Sequence, residues 1–509
     1  MIEIRKGEQS VKNNKQIIVT AYFILASFAA AGMGKEINLE KIFREGIPRS
    51  PFINKVYGYA NAMLEHDRDT YGPQKSGLFL SALDRKTLGP LKIRPKAPAG
   101  IREEDRPGNP AQPLVGANLH LDQNLLRLLY FLKEMSGENR YAQAADNAIK
   151  WFLNNTQSPD TGLLPWGEHL CWNVITDKVA SGHSEPVHEF ARPWLLWDKC
   201  FELAPEASKR FAIGLWNSQI ADHETGAFDR HANFNRSSPQ AGMDFARHAG
   251  FYIRTWAEAY ANTKDKTFLK AIEVLLRRYE NKRHPKTGLI ELTSGSPTAH
   301  SVLSLSLAID CDGAARKVPE PLRTRLVNFA AREDEIFCSL PHELEGKKGF
   351  ALGFDLVNGK SDGSYSSLWE TRYGTFTTAA VAMMCVSRYE NTGRVCYLDL
   401  ITKAADAYMD SLPGDDCDAW PMTFGHAICV ELAAYRATAQ EKYHKRAFML
   451  GETALEIFFG DSPLPKASLK SGHYESTTGA DTLALALAEL HLSVLHITAV
   501  RTPVNTIDR

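Results

Sequence analysis

Apolar residues along this chain recur every three to four positions far more often than they alternate, and that period belongs to helices. Asn118 to Glu134 reads NLHLDQNLLRLLYFLKE and Tyr141 to Leu153 reads YAQAADNAIKWFL, each with an apolar stripe along one side. The same period predicts helices over 52–65, 187–201, 207–220, 242–261, 266–280, 300–310, 319–331, 371–389, 397–411, 424–439, 443–459 and 478–495, about fourteen in all. Period-two alternation is scarce, so strands are expected to be short and confined to loops.

The punctuation between these helices repeats. Asp160-Thr161-Gly162-Leu163, Glu224-Thr225-Gly226-Ala227 and Lys286-Thr287-Gly288-Leu289 each precede a helix pair, at a spacing of roughly 60 residues. The glycine of each Thr-Gly step suits a turn that needs a positive φ. Each unit holds two helices, one short connection and one long one. Units of this length exceed the usual 34–47 residues of helical solenoids. A closed all-α ring of six to seven hairpins, an (α/α) toroid, accounts for the length better. In such a ring the long links share one face, and that face is expected to carry the site.

The hairpins, the turns before the inner helices and the Trp-, His- and Tyr-rich long links resemble the α/α-toroid carbohydrate enzymes. That group includes alginate and glucuronan lyases, unsaturated glucuronyl hydrolases and sugar epimerases. The helix count is most similar to the seven-hairpin alginate-lyase type, and the resemblance covers roughly residues 50 to 500. It implies a single catalytic toroid, needing no organic cofactor, that acts on carbohydrate.

The amino-terminal segment changes the picture of where this happens. Ile17 to Ala31 reads IIVTAYFILASFAAA behind Lys12 and Lys15, with small residues Ala29 to Gly32 after it. This reads as a secretory signal peptide over 1–32, leaving 33–509 as the toroid in the periplasm or outside the cell. The run is short of the about 20 apolar residues a stable membrane span needs. Lys plus Arg is 59 and Asp plus Glu is 60, so no basic excess points to nucleic acid. The eight cysteines show no paired metal spacing, and most read as small buried hydrophobes. Nothing in the sequence sets an oligomeric state.

The candidate chemistry lies in four polar stretches. The first, Trp166 to Phe190, contains Glu168, His169, Trp172, Asp177, His183, Glu185, His188 and Glu189. Trp166 and Trp172 are candidate sugar-stacking surfaces, and His188 is a candidate to act on substrate. His183, Glu185 and His188 match no recognised zinc spacing, so no metal is expected. The second, Asp222 to Gln240, holds Glu224, Asp229, Arg230, His231, Asn235 and Arg236. In the third, Ser361 to Ala380, Trp369 and Glu370 precede Arg372 and Tyr373 where a helix is expected to start. The last, Lys470 to Asp481, offers His473 and Tyr474.

Arginine, asparagine or protonated histidine neutralises a uronate carboxylate and so acidifies the C5 proton, which a His or Tyr base removes. The expected function is therefore a lyase that cleaves an acidic, uronate-containing polysaccharide by β-elimination. The catalytic set is His231, Tyr373, Arg236, Arg372, His188 and Glu224. Trp166, Trp172, Asn235, Trp369, His473 and Tyr474 are expected to bind substrate. Three alternatives stay open. A glycoside hydrolase would pair two of Glu168, Asp177, Glu185, Glu224, Asp229 and Glu370. A sugar epimerase would use two histidines to exchange protons at one carbon. A binding toroid would keep its Trp residues and catalyse nothing.

Overall fold

A computed structural model describes residues 50–372, 374–497, 502 and 504–509. The signal-peptide segment and Tyr373 lie outside the described residues. Fourteen α-helices are found among them: α1 (Pro51–His66), α2 (Gln123–Ser136), α3 (Asn139–Asn155), α4 (Trp197–Leu203), α5 (Pro205–Ser218), α6 (Ala246–Thr263), α7 (Lys266–Asn281), α8 (Ser301–Ala315), α9 (Leu322–Ser339), α10 (Thr378–Thr392), α11 (Val395–Tyr408), α12 (Pro421–Thr438), α13 (Glu441–Ala454) and α14 (Ala480–Val494).

The pairing of these helices closes a ring. The even-numbered helices pack side by side from α6 through α8, α10 and α12 to α14, which returns to α2, while α4 touches α6. The odd-numbered helices lie outside, with α1 against α14 completing a seventh hairpin. The all-α toroid expected from the sequence is the observed architecture. Burial separates the two layers. In α8 and α14 nearly every residue is buried, as a helix surrounded by others requires. Outer α7 buries only Phe268, Ala271, Ile272, Val274, Leu275, Leu276 and Tyr279, one stripe at helical spacing.

The short connections share a device. Inner helices α2, α6, α10 and α12 each end in a left-handed residue, Gly137, Lys264, Gly393 and Ala439, and the outer helix follows within two positions. The long links all emerge at the opposite face, beside the N-termini of the inner helices. There, pairs of short strands tie link to link. They are β1 (Ala82–Leu83) with β9 (Tyr474–Glu475), β2 (Gly116–Ala117) with β3 (Leu170–Asn173) and β4 (Lys178–Ser181), β5 (Val187–His188) with β6 (Ala232–Asn233), and β7 (Thr298–His300) with β8 (Gly353–Asp355).

Two predicted helices need correction. The segment 187–201 is helical only as α4, because Val187 and His188 pair with β6 and Pro193 disfavours helix at the residue before it. The helix predicted from 371 starts at Thr378, where the Thr377 side chain accepts the Ala380 N–H at 3.3 Å. Gly374, at φ 73°, breaks any earlier turn, so Arg372 stands in a loop.

Candidate active site

The long links enclose a cavity of about 770 Å³ at the inner-helix N-termini. Residues before or within the first turns of α2, α6, α8, α10, α12 and α14 all reach it, among them Leu121, Arg247, His300, Thr377, Met422 and Thr477. Several helix dipoles therefore present their positive ends to one space, which favours an anionic occupant. Arg102, Arg192, Arg230, Arg247, Arg372 and Arg509 line it, against the acids Asp105, Glu168, Glu189 and Asp508.

At its wall sits Glu189, almost fully buried. Its Oε1 accepts from Arg230 Nε at 3.0 Å and His248 Nε2 at 2.9 Å. Its Oε2 accepts from His169 Nε2 and His231 Nε2, each at 3.0 Å. Local backbone explains the convergence. Antiparallel β5 and β6 pair Val187 with Asn233 and His188 with Ala232, so Glu189 falls opposite His231. Alternation along the strand sends His188 and Glu189 to opposite faces. Gly167 bridges to Glu189 so closely that a Cβ there would lie 1.8 Å from the Glu189 carbonyl, and its φ is +89°. Only glycine permits that approach, and it delivers His169 two residues later.

The electrostatics follow from this crowding. Burial opposes charge on Glu189, but the imidazoles of His169, His231 and His248 outweigh it and hold the carboxylate well below its usual range. Burial also opposes charge on His169, yet Asp105 and Glu189 push its imidazole up to about 9. His248, sealed in α6, is driven down to about 4 by burial. Burial and the neighbouring Glu189 and Asp105 raise Glu168 to about 7.

His169, Glu189 and His231 each offer one atom, all within 4.8 Å of one another, so they form a potential metal-binding group. The 3.0 Å nitrogen–oxygen separations fit this: bonds of ~2.1 Å at right angles span about 3.0 Å. Two imidazoles and a carboxylate are a donor set for a divalent transition metal. Arg230 stands beside them. Its guanidinium lies 4.2 Å from the Phe245 ring centroid and donates through Nη1 to the Met243 carbonyl, which leaves Nη2 without a hydrogen bond among the described residues.

The sequence-predicted residues divide sharply. His231 and Arg372 line this one cavity although their links are far apart in sequence. Arg372 is 70% exposed there, with Glu370 at 2.9 Å. Arg236 is 67% exposed and lies 3.6 Å from Glu185 outside the cavity, and Asn235 is exposed beside it. Glu224 belongs to a turn on a separate surface groove. His188 faces the core, where Gln219 Nε2 donates to it at 2.8 Å and burial lowers it to about 3.

Trp166 is fully buried, stacked among His120, Phe190 and Phe152, so no sugar reaches it. Trp172 packs on Trp151, and Trp369 on Tyr408 and Phe424. Tyr474 is buried with its hydroxyl 3.2 Å from that of Tyr59. His473 is spent on Glu475 at 2.8 Å. The three Trp rings and Tyr474 are taken up by packing with other aromatic rings. Sequence reading missed His169, Glu189, Arg230 and His248 as a group. His183, Glu185 and His188, close in sequence, are not brought together: Glu185 bonds Asn233 at 2.9 Å while His183 meets His169.

An all-helical toroid with a histidine–carboxylate cluster in an arginine-lined cavity is the class the fold and site define. A family profile described as periplasmic pectate lyase matches residues 108–293. A pectate disaccharide-lyase from Dickeya dadantii (strain 3937) is 28% identical over 158 residues, 30% of this chain and 28% of that relative's length. The match thus spans little more than a quarter of the relative. Among solved structures, a D-mannose isomerase aligns with TM-score 0.48 at 11% identity, covering 91% of this chain and all of that one. A family 76 glycoside hydrolase from Bacteroides thetaiotaomicron aligns with TM-score 0.45 at 12% identity, covering 87% and 99%.

Proposed function

We propose that the protein is a polysaccharide lyase that cleaves a polyuronate of the pectate type by β-elimination, in the periplasm or outside the cell. The observation that carries this reading is the His169–Glu189–His231 cluster with Arg230 beside it in a cavity of arginines and helix N-termini. His169, Glu189 and His231 would hold a divalent cation, so His231 is here a ligand and not a base. When bound, such a cation would neutralise a uronate carboxylate and so acidify C5–H. Arg230, which lines the same cavity, would add charge-assisted hydrogen bonding to that carboxylate. Arg372 and Arg102 extend the basic wall to neighbouring sugars. The matched family profile and the pectate disaccharide-lyase relative support the choice of pectate over alginate.

Of the six carboxylates considered for a hydrolase pair, only Glu168 lines the cavity, so no two of those six pair across it. The disulfide between Cys338 and Cys396 suits an oxidising compartment.

The test is an ultraviolet assay for the unsaturated product on polygalacturonate, alginate and glucuronan. Absorbance should rise on polygalacturonate, vanish with chelator and return with added divalent cation. Arg230→Lys should lose roughly 10²–10³ in rate while cation binding persists. No absorbance rise on any polyuronate with cation supplied would sink the proposal.

A further inference from the structure

The Pro- and Gly-rich excursion before α2 is not surface decoration. Residues 95–106 form a strap fastened at both ends. Arg106, buried, donates to both oxygens of buried Glu475 at 2.9 and 2.7 Å and to the Pro95 carbonyl at 2.7 Å. Further along the strap, Ala99 donates its N–H to Asp418 at 3.0 Å, and its carbonyl accepts from Trp420 Nε1 at 3.0 Å. Gly100 lies so near Thr371 that a Cβ would come within 2.3 Å of its carbonyl oxygen. A segment anchored this heavily holds its side chains in fixed positions.

The side chain it delivers to the cluster is Asp105. Its carboxylate is nearly buried, clamped by Arg102, with Oδ1 3.3 Å from His169 Nδ1. His183 Nε2 lies 3.0 Å from the same Nδ1. His169 is thus approached at both nitrogens: Nε2 by Glu189, Nδ1 by the His183 imidazole and the Asp105 carboxylate. A histidine ligand whose second N–H is held by a carboxylate keeps one tautomer and one ring orientation.

We infer that the strap 95–106 is a positioning element for the candidate cation site, with Asp105 as positioning residue: through His169 Nδ1–H it holds Nε2 toward the cation. This rests on the cation reading above. Asp105 lies before the segment matched by the family profile, 108–293.

Titrating metal-free protein with Co²⁺ tests this, by calorimetry and by the visible ligand-field spectrum. Parent protein should bind one ion. Asp105→Asn should still bind one, 10–100-fold more weakly, with a changed spectrum, unchanged Tm without metal, and near-parental rate at saturating Co²⁺. Asp105→Glu should recover part of the affinity. His183→Ala, outside the strap's anchors, should weaken binding in the same direction and serves if Asp105→Asn fails to fold. Parental affinity and spectrum in both Asp105→Asn and His183→Ala would overturn the inference and leave the cation site standing. Two ions in the parent and one in Asp105→Asn would make Asp105 a ligand, and overturn it differently. No binding by the parent would defeat the cation reading itself.

Discussion

Glu189 and His188 are neighbours with opposite fates, and one residue of strand register separates them. Another carboxylate shows what burial does without partners. Glu431 in α12 is fully buried, and neither of its oxygens has a hydrogen-bond partner among the described residues. Burial raises its carboxyl from 4.5 to about 9, with Arg446 only partly offsetting this. The folded value exceeds the unfolded one, so the folded chain binds more protons across this window. Its contribution to stability is whole below about pH 4.5 and is lost as pH rises toward 9. Glu431→Gln removes the titration. At pH 8 the variant should be more stable by on the order of 1–3 kcal/mol, and the two proteins should converge near pH 4. Denaturant melts at both pH values decide it; equal stability at pH 8 would refute the argument.

Single elements here act mostly as fasteners. The two-residue ladder of β5 and β6 is too short to be stable alone, yet it sets the register that puts Glu189 opposite His231. On the outer layer, Cys338 at the end of α9 bonds Cys396 at the start of α11, closing a separation of 58 residues. Cross-linking a loop of that length restricts the unfolded chain, and removing it should cost about 2–4 kcal/mol. The Cys338→Ser, Cys396→Ser double variant should melt lower than the parent. Reductant should lower the parent to the same point and leave the variant unmoved. A parent insensitive to reductant in its unfolding would show the bond contributes nothing.

The molecule as a whole is a ring whose axis is filled by its own chain. Residues 504–509 run between the inner helices: Arg509 donates to Asp310 at 2.7 Å, and Asp508 lines the cavity. Asp508 accepts from Arg192, His426, Thr482 and Asn505, all at 3.1 Å. Burial opposes its charge, but His426 and Arg192 outweigh this and hold it below the usual carboxylate range. Asp508→Asn leaves the partly buried Arg192 guanidinium facing a neutral group. It should destabilise by roughly 3 kcal/mol near neutrality, with the deficit shrinking as pH falls below 3.8, where the unfolded chain's carboxylate takes up a proton that the folded one still refuses. Scanning calorimetry from pH 7 down to pH 3 reads this directly. A constant deficit over that range would mean the charge is not what Asp508 contributes.

Much of this architecture was legible in the chain. Helical period, the Thr-Gly turns and the alternation of short and long links sufficed for a closed ring with its site on the long-link face, because each is written in local runs of residues. The polar stretches around Glu168–Glu189 and Arg230–His231 were also visible as places too charged to be packing. What tertiary structure alone decided was which residues of each stretch face inward. Trp166, His188 and Tyr474 look as chemical as His169, Glu189 and His231, and the difference is a strand face, a glycine approach at Gly167 and a ladder register. The histidine and carboxylate cluster comes from separate links joined by β5–β6 pairing. No spacing rule within one stretch reveals it, since the distance that matters is measured between paired neighbouring links and not along the chain.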